Sequence, residues 1–311
     1  MGTPLLSICC ITYNHKEYIS QAIESFLMQE TNFEYEILLY DDASNDGSQE
    51  IIAKFQEEYP KIIKPILQTE NRYSKGERGM NFRYNYPRAK GKYIAICDGD
   101  DFWTDPQKLQ IQVDFLESHS DYVLCFHDTD EIDEDDVVHH IPFLNQYKLD
   151  RSAIELKRGV YVFASTICYR NILEDVPEEV FKVVNEDTFT VSLLGNFGKA
   201  KYIDNIKAGF YRIQKNGVWS TLRNEQRAFH KITTYESLMS YYSRKNDSEM
   251  IGYYKFKLRN VYLGLYEFQL KNRNISSAKE NMNMVYNLSS SSMDASWLVL
   301  KSTLKSLYNA K

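Results

Sequence analysis

Residues 93–101 read YIAICDGDD, a short apolar run that ends at three carboxylates within four residues. The run is rich in β-branched and aromatic residues, which indicates a buried strand, and the polar segment begins where that strand ends. Carboxylates this close raise one another's pKa unless a cation lies among them. The stretch therefore predicts a strand that delivers Asp98, Asp100 and Asp101 to a ligand site, with Gly99 permitting the tight turn.

The patterns around this stretch alternate between strand and helix. Short apolar runs predict strands, and apolar side chains three or four positions apart predict helices. Strands are predicted at residues 5–12, 35–40, 63–68, 93–97 and 122–126, and helices at residues 18–28, 48–59 and 108–118. Strands that alternate with helices indicate a parallel sheet covered on both faces. We therefore predict an α/β fold with a mostly parallel central sheet.

Polar clusters also follow the first two predicted strands. Thr12, Tyr13 and Asn14 come after the first strand, and Asp41 and Asp42 after the second. Ligands of parallel α/β sheets bind where the carboxyl ends of the strands meet, so we expect these clusters to share one site with the acidic turn. Hard oxygen ligands select Mg²⁺ or Mn²⁺, and a diphosphate would complete the coordination shell. The alternatives are a helix cap for the Asp pair and a solvated acidic turn.

Composition and charge exclude several classes of protein. The chain has 311 residues and a formal net charge of −6, which argues against nucleic acid as a partner because phosphate-backbone binding needs a positive surface. We expect no signal peptide and no membrane span, since no apolar run approaches about 20 residues. We also expect a cytoplasmic protein with five reduced core cysteines. These are Cys9, Cys10, Cys97, Cys125 and Cys168.

A dense acidic run occupies residues 128–136. We predict that it is a solvated loop without a metal, because its spacing does not match an EF-hand calcium loop. The neighbouring His139 and His140 are not assigned to a site.

The sequence becomes helical and Tyr-rich from about residue 226. We predict two regions, residues 1–224 and residues 225–311, with a linker at residues 289–292. The last segment carries an apolar helical stripe beside lysines, which predicts packing against the preceding helices or a second subunit, or else a peripheral membrane contact. The stripe consists of Trp297, Leu300, Leu304, Leu307 and Tyr308, and the lysines are Lys301, Lys305 and Lys311.

Together these motifs resemble the family 2 glycosyltransferases, which have the GT-A nucleotide-sugar transferase fold. The resemblance covers roughly residues 5–222 and is closest to bacterial enzymes that build capsular or lipopolysaccharide glycans. The matching stretches are SICCITYNHKEYISQAIESFLMQ, EILLYDDASNDGS, GKYIAICDGDDFWTDPQKLQIQVDFLE, NEDTFTVSLL and YRIQKNGVWS.

The resemblance implies a donor pocket built from the first two clusters. Thr12, Tyr13 and Asn14 would line the nucleotide, Asp41 would accept a hydrogen bond from a uracil-type base, and Asp42 would support the loop. A carboxylate can accept the imide N–H of uracil, so the role of Asp41 is chemically reasonable.

The resemblance also implies the metal and catalytic residues. Asp98 would lie near the ribose, Asp100 would bind the metal directly, and Asp101 would bind the metal or orient its neighbours. Asp187, preceded by Glu186, matches the family's general base, which takes the proton of the attacking acceptor hydroxyl. Without the resemblance, this acidic pair would be interpreted as a helix cap.

Other residues are expected at the edge of the site. Asn71, Arg72, Arg212 and Trp219 are predicted to contact the donor, and Trp103 the acceptor. One position departs from the family, because the residue that follows Tyr-Arg-Ile is often His and is Gln214 here. Gln is a weaker metal ligand than imidazole, so this segment is not expected to supply a further ligand.

We therefore predict an inverting glycosyltransferase that uses Mn²⁺ or Mg²⁺, a UDP-sugar or another nucleotide-sugar, and a glycan or lipid-linked acceptor. No Trp is preceded by Arg, so the Gln-x-x-Arg-Trp signature of processive synthases is missing and one sugar is expected per encounter. Two alternatives remain, a catalytically inactive glycan- or nucleotide-binding protein and a sugar-phosphate nucleotidylyltransferase. The loop TYNHKEY lacks the glycines that the second alternative requires.

Overall fold

The computed structural model describes residues 2–139, 146–173, 175–215, 217 and 221–308. Contacts between residues divide the chain into two compact units. The first comprises Met1–Phe181 and Glu186–Ser220, and the second comprises Lys182–Asn185 and Thr221–Lys311.

The first unit contains a seven-stranded sheet and a three-stranded sheet. The strands are β1 (Leu6–Thr12), β2 (Tyr35–Asp41), β3 (Ile63–Leu67), β4 (Tyr93–Ile96), β5 (Tyr122–Phe126), β6 (Thr129–Asp133), β7 (Val138–His139), β8 (Cys168–Arg170), β9 (Lys199–Tyr202) and β10 (Gly209–Ile213). The helices are α1 (Ile19–Leu27), α2 (Ser48–Glu58), α3 (Lys108–Ser118), α4 (Ala153–Lys157) and α5 (Glu186–Leu194). Short 3₁₀ turns lie at Tyr86–Arg88, Ala164–Thr166 and Glu178–Lys182, and a π-helical turn lies at Asn81–Asn85.

The large sheet has the strand order β3-β2-β1-β4-β8-β5-β9. All neighbouring strands in it are parallel except β8, which is antiparallel to β4 and β5. β1 pairs with β2 on one side and β4 on the other, and this register sets Thr12 opposite Asp41. The three predicted polar clusters therefore leave the sheet at one edge. The mostly parallel α/β fold predicted from the sequence is confirmed.

Both faces of β1 are buried, as expected for a central parallel strand. Ile8 and Cys10 point into the apolar core on one side of the sheet, and Cys9 points into the core on the other. All five cysteines are buried and unpaired, which confirms the expectation of reduced core thiols.

The acidic run does not form the predicted loop. Residues 129–133 form β6, which lies between β10 and β7 in the small sheet. Only Thr129 and Ile132 of this strand are buried, and they lie three positions apart, so the segment lacks the period-two pattern that indicates a strand. Pairing with β10 and β7, which are distant or short segments, forms the strand.

The second unit is helical, with α6 (Asn224–Arg244), α7 (Ser248–Lys271), α8 (Ile275–Leu288) and α9 (Ser292–Tyr308). Asp247 caps α7 and Asn274 caps α8, each by accepting a hydrogen bond from the backbone N–H three residues later. The aromatic content serves packing here, since the rings of Tyr242 and Tyr254 are buried and stack with centroids 5.9 Å apart. No helix in the described part of the chain combines the length and apolarity needed to cross a bilayer.

The apolar stripe of α9 does not pack against the preceding helices. Trp297, Leu300 and Leu304 are 60%, 58% and 58% exposed. The opposite face of the helix, which includes Ala295 and Val299, is the buried one. The prediction that these three residues pack against the preceding helices is therefore wrong. The side chains of Leu307 and Tyr308 lie outside the described residues.

A lysine lies wholly inside the first unit. The side chain of Lys108 is completely buried, donates a hydrogen bond to Gln112 Oε1 at 2.7 Å, and lies 3.8 Å from the centroid of the Trp103 ring. Burial lowers the pKa of Lys108 from 10.5 to about 8. Keeping the buried amine charged therefore lowers the free energy of unfolding by roughly 3 kcal/mol below pH 8. This loss disappears as the pH rises to the ordinary lysine pKa of 10.5, which applies in the unfolded chain.

Lys108→Met should remove that cost. The free energy of unfolding of the variant minus that of the unaltered chain should fall by about 3 kcal/mol between roughly pH 7 and pH 10.5. Urea unfolding across this range measures the difference, and Lys54→Met, at an exposed position, serves as the control. A difference that does not change with pH would show that the amine is not charged at a cost in the folded protein.

Candidate active site

The loops that follow β1 and β2 are tied to each other. Asn14 adopts a left-handed backbone with φ of 55°, its N–H donates to Ser44 Oγ at 2.7 Å, and its Oδ1 accepts from the N–H of Asn45 at 3.0 Å. Asn tolerates this conformation better than most residues, which explains its place here. Tyr13 is exposed, whereas Thr12 is buried and its Oγ1 has no partner among the described residues.

The two carboxylates after β2 have different environments. Asp41 accepts hydrogen bonds from the N–H and Oγ of Ser44 and from Gln49 Nε2, so it orders its own loop. Asp42 accepts from the hydroxyl of Tyr40 and from the N–H groups of Arg72 and of the residue that follows it. Asp42 thereby anchors a second loop beside the first.

That second loop carries the predicted donor contacts at residues 71 and 72. Asn71 Oδ1 accepts from the N–H of Ser74 at 2.7 Å, which closes a turn. The Arg72 side chain is partly exposed, with Glu70 and Glu77 at 3.8 and 4.0 Å from its NH1. These ion pairs are long and solvated, so they contribute little to stability. Arg72 therefore remains available as a cation beside the loops after β1 and β2.

The turn after β4 packs directly on β1. A Cβ added to Gly99 would lie 2.7 Å from the Cβ and Oγ1 of Thr12, so only glycine allows this approach. The N–H of Gly99 donates to the carbonyl of Ile11, and the N–H of Asp101 donates to the carbonyl of Asp98. The sharp turn leaves Asp98 exposed and Asp101 buried.

Crowding of carboxylates raises their pKa values. Solvent reaches Asp98, yet it lies in a cleft dense in protein atoms, and burial followed by Asp100 and Asp187 raises its pKa to about 7. Burial, with Asp100 and Asp98, holds the pKa of Asp101 well above its usual value. Because the charge of Asp187 acts on Asp98, the start of α5 lies near the turn after β4.

Glu186 and Asp187 begin α5, where the helix dipole favours negative charge. Burial raises the pKa of Glu186 to about 8, although its Oε2 accepts a 3.4 Å hydrogen bond from the N–H of Asn81. Burial also raises the pKa of Asp187. Glu186 thus connects α5 to the π-helical turn, and both members of the pair lie near Asp98, since Asp98 raises the pKa of Glu186 and Asp187 raises the pKa of Asp98.

Arg212 is not a free cation for the donor. Its side chain is 1% exposed, and it donates to Asp136 Oδ1, Gln21 Oε1 and the carbonyls of Asp100 and Asp133. These hydrogen bonds hold the acidic turn in place and leave no exposed guanidinium surface for the donor. The prediction of a direct contact between Arg212 and the donor is therefore wrong. Charge pattern alone cannot distinguish a buried clamp from an exposed ligand.

Trp103 is a core residue and does not line the cleft. Its indole is 2% exposed, its Nε1 donates to the carbonyl of Ser165 at 2.6 Å, and it packs against Phe26 and Lys108. The tentative acceptor role of Trp103 is therefore wrong. The other predicted tryptophan, Trp219, lies outside the described residues.

Two residues at the acidic turn were not expected. Gln214 Nε2 donates to Asp100 Oδ2 at 2.7 Å, and His15 Nε2 lies 3.8 Å from the same oxygen. Gln214 was recognised in the sequence only as a departure from the family, and His15 was not singled out. Their convergence depends on the pairing of β10 with β6 and on the loop after β1, which local sequence does not reveal.

The residues present fit a divalent cation that shares its shell with a ligand. Among the described residues, no group of three or more His, Cys, Asp or Glu side chains is gathered closely enough to hold an ion. Asp101 is buried and accepts a hydrogen bond from the N–H of Arg212 at 2.9 Å, which agrees with the second of its two predicted roles, that of orienting its neighbours. Asp98 and Asp100 remain, and Mg²⁺ commonly takes one or two carboxylates plus phosphate oxygens.

Comparisons with known proteins match this architecture. Residues 7–176 match the model of the family described as glycosyl transferase family 2. The chain belongs to this family. This membership argues against the nucleotidylyltransferase alternative and agrees with the GT-A fold predicted from the motifs.

Relatives of this family 2 chain differ in how much of it they cover. An uncharacterized protein of Mycobacterium tuberculosis is 32% identical over 229 residues, which make up 72% of this chain and 63% of that protein. The chain therefore matches less than two thirds of the length of that relative. The Escherichia coli protein WfaP, named UDP-Glc:alpha-D-GlcNAc-diphosphoundecaprenol beta-1,3-glucosyltransferase, is 36% identical over 114 residues, 37% of this chain and 42% of that protein.

A solved structure supports the fold of the family 2 chain along its length. The mannosyltransferase PcManGT from Pyrobaculum calidifontis, in complex with GDP-Man and Mn²⁺, superposes with a TM-score of 0.58 at 16% identity. The match covers 99% of this chain and 82% of that one. At this identity the likeness establishes the fold alone.

Proposed function

We propose that the protein transfers a sugar from a nucleotide-diphosphate sugar, preferably a UDP-sugar, to a hydroxyl of a glycan or lipid-linked acceptor. The observation that carries this proposal is the family 2 fold, in which Asp98 and Asp100 follow β4 at the carboxyl edge of the sheet and Asp187 lies near enough for its charge to act on Asp98. The name of WfaP joins a UDP-sugar to a lipid diphosphate acceptor, and PcManGT was solved with GDP-Man. The first supports the proposed substrates, and the second makes GDP the nucleotide to test against UDP.

The nucleotide would lie over the loops after β1 and β2. Thr12, Tyr13 and Asn14 border this position. Asp41 is fully buried, and its carboxylate accepts hydrogen bonds from Ser44 and Gln49. A contact between Asp41 and the imide N–H of uracil would therefore require these side chains to move. Guanine presents a different edge, so such a contact would favour UDP.

The diphosphate would lie beside the acidic turn, where Asp98 and Asp100 would hold Mn²⁺ or Mg²⁺. When bound, the ion supplies positive charge that stabilises the developing charge of the leaving diphosphate. Gln214 donates a hydrogen bond to Asp100 Oδ2 and orients that carboxylate. Arg212 holds the turn in place from the buried side.

Asp187 would act as the general base at one of its carboxylate oxygens. Burial raises its pKa, which increases its basicity towards an acceptor hydroxyl. The hydroxyl oxygen forms its bond to the anomeric carbon as the bond to the diphosphate breaks, and the proton passes to Asp187. This single displacement inverts the anomeric configuration and moves one sugar per encounter.

Thermal unfolding with nucleotides tests the donor site. UDP with Mn²⁺ should raise the melting temperature by roughly 5–10 °C at a hundredfold excess over Kd, because only ligands that prefer the folded state stabilise it. UDP with EDTA, and GDP with Mn²⁺, should give smaller shifts. If no nucleotide shifts the transition in the presence of Mn²⁺, the donor site is wrong. A larger shift with GDP would reject the assignment of uridine.

The alternative of an inactive binding protein is distinguished by turnover. It is favoured by Gln214, which stands where the family often has His and engages Asp100. A nucleotide-dependent shift without release of UDP from any UDP-sugar, in the presence of acceptors or water, would support that alternative.

We further propose that α9 contacts an anionic bilayer surface, as a lipid-linked acceptor would require. Its exposed face carries Trp297, Leu300 and Leu304, and Lys301 lies 5.1 Å from the Trp297 ring centroid. An apolar face bordered by lysines is typical of helices that lie in the membrane interface.

The full chain should co-sediment with vesicles that contain phosphatidylglycerol and less with vesicles of phosphatidylcholine alone. Replacing Trp297 and Leu300 with Ser should abolish this binding, whereas Phe229→Ser, at an equally exposed position on α6, should not. Equal sedimentation of all three proteins would reject the membrane contact. Dissociation of a dimer by the double variant, seen by size-exclusion chromatography, would assign the face to a second subunit.

A further inference from the structure

A wall of aromatic rings borders the acidic cleft. We call Tyr147, Tyr161 and Tyr211 the tyrosine wall. Tyr161 is 51% exposed and Tyr211 is 41% exposed, so both offer ring surface to a ligand. Tyr147 and Phe163 support Tyr161, with ring centroids 5.2 and 5.3 Å away. The exposed ring of Tyr161 is thus held by packing against other aromatic rings, which limits the entropy lost when it binds a ligand.

Backbone hydrogen bonds place Tyr211 beside the acidic turn. Its neighbour Phe210 exchanges two of them with Phe102, and the N–H of Arg212 donates to Asp101 Oδ1 at 2.9 Å. The pKa shifts agree with this placement and extend it to Tyr161. Burial followed by Asp101 raises the pKa of Tyr211, to which Tyr161 contributes, and burial followed by Asp187 raises the pKa of Tyr161.

Strand pairing adds a carboxylate to the wall. Tyr211 on β10 is the register partner of Glu131 on β6, and partners across a pair point to the same face of a sheet. Glu131 is also near Tyr161, since its charge contributes to the raised pKa of that phenol. Arg212 follows Tyr211 and points to the opposite, buried face. The exposed face thus combines two aromatic rings with a hydrogen-bond acceptor.

The position of the wall separates it from the proposed nucleotide loops. Those loops follow β1 and β2, and the acidic turn follows their neighbour β4. The charge of Asp187 acts on Tyr161, and Asp187 is the group that must reach the acceptor hydroxyl if it is the base. A sugar on the wall would therefore lie on the base side of the acidic turn and not on the nucleotide side.

We propose that Tyr161, Tyr211 and Glu131 form the acceptor subsite, and that it binds a neutral pyranose through the apolar face of its ring. This inference rests on the proposed transferase function. Aromatic rings pack well against the C–H face of a sugar, and Glu131 can accept hydrogen bonds from its hydroxyls.

The charges around the wall exclude acidic sugars. Several carboxylates act on the two exposed tyrosines, among them those of Asp98, Asp101, Asp187 and Glu131. The nearby guanidinium of Arg212 already donates hydrogen bonds to protein acceptors. A uronate or a sugar phosphate would add a like charge to a site that already raises the pKa of its own groups. The subsite should therefore prefer neutral glycans.

Saturation-transfer NMR on the full chain tests the subsite with simple probes. The probes are methyl β-D-glucopyranoside, methyl β-D-galactopyranoside and methyl β-D-glucopyranosiduronate. At least one neutral glycoside should receive saturation at the C–H protons of one ring face, and the uronate should receive much less. Tyr161→Ala and Tyr211→Ala should each weaken binding of the neutral probe roughly three- to tenfold. Tyr161→Phe should retain it, because the stacking ring is kept.

Phe197→Ala is the matched control, since Phe197 is an equally exposed ring elsewhere on the same unit. Unaltered binding in both Tyr→Ala variants, an equal loss in Phe197→Ala, or no signal from any probe with the unaltered chain would overturn the subsite. Displacement of the probe by UDP-glucose or UDP-galactose with Mn²⁺, but not by UDP with Mn²⁺, would assign the wall to the donor sugar instead. Failure of the donor function is seen separately, as loss of the UDP- and Mn²⁺-dependent thermal shift.

Discussion

Asp187→Asn is expected to lower kcat for sugar transfer by about 10²- to 10⁴-fold. The amide has nearly the same shape as the carboxylate but cannot take the proton of the acceptor hydroxyl. Release of UDP from UDP-sugars, followed with a panel of acceptors, measures the rate. The thermal shift with UDP and Mn²⁺ should persist in the variant, because Asp187 lies outside the proposed nucleotide pocket.

Glu186→Gln provides the comparison at the neighbouring position. Glu186 Oε2 accepts a hydrogen bond from the backbone N–H of Asn81, so its role is to join α5 to the turn below it. We expect a smaller loss of kcat than in Asp187→Asn, and the melting temperature should not fall, because Gln keeps the accepting oxygen and removes a buried carboxylate whose pKa is raised. A greater loss in Glu186→Gln, with near-normal transfer in Asp187→Asn, would assign the base to Glu186.

The pH dependence follows from the direction of the Asp187 shift. A base must be deprotonated to act, and burial raises the pKa of Asp187 above its ordinary value. Transfer should therefore decline as the pH falls through that raised pKa, at a higher pH than an exposed Asp would require. The residual rate of Asp187→Asn should lack this limb of the profile.

Asp100→Ala is expected to abolish the Mn²⁺-dependent part of the UDP shift and to lower kcat by about 10²- to 10³-fold. Asp100 lies within the acidic turn, is partly exposed, and is approached by the side chains of Gln214 and His15. Its loss removes one of two carboxylates available to the ion. Titration with Mn²⁺ in the presence of UDP, followed by thermal unfolding and by UDP release, measures both effects.

The stability of the metal-free protein distinguishes a variant that has lost its fold from one that has lost only the metal site. Asp100 raises the pKa values of Asp98 and Asp101, so removing its charge relieves repulsion, and the metal-free variant should be at least as stable as the unaltered chain. Asp121→Ala is the control, because it removes only a surface ion pair with Lys199. An Asp100→Ala variant that keeps the full Mn²⁺-dependent shift would show that the ion is held elsewhere.

Local patterns predicted most of the elements of the large sheet. α3 spans Lys108–Ser118 and β5 spans Tyr122–Phe126, as predicted from hydrophobic spacing. The predicted strand at residues 93–97 ends one residue earlier, at Ile96. Such segments are predictable because burial of a helix face or of a whole strand leaves a regular trace in the chain.

The sequence predictions are wrong where the same residue type can either be buried in the fold or be exposed to solvent or a ligand. Residues 129–133, three of which are acidic, form a strand because they pair with β10 and β7. Trp103 and Arg212 have the chemistry of ligand contacts, but the first fills the core and the second clamps the acidic turn. Whether a polar or aromatic side chain is buried depends on segments distant in sequence.

The sequence by itself determined the alternating fold, the acidic turn after a buried strand, and the family motifs, because each depends on residues near one another along the chain. Only the tertiary structure decided which carboxylates lie close together, that Gln214 and His15 approach Asp100, and that β10 lies beside the acidic turn. The longest of these contacts joins Gln214 and Asp100, which are 114 positions apart in the sequence. They follow from the strand order and register, which place the ends of distant strands at one edge.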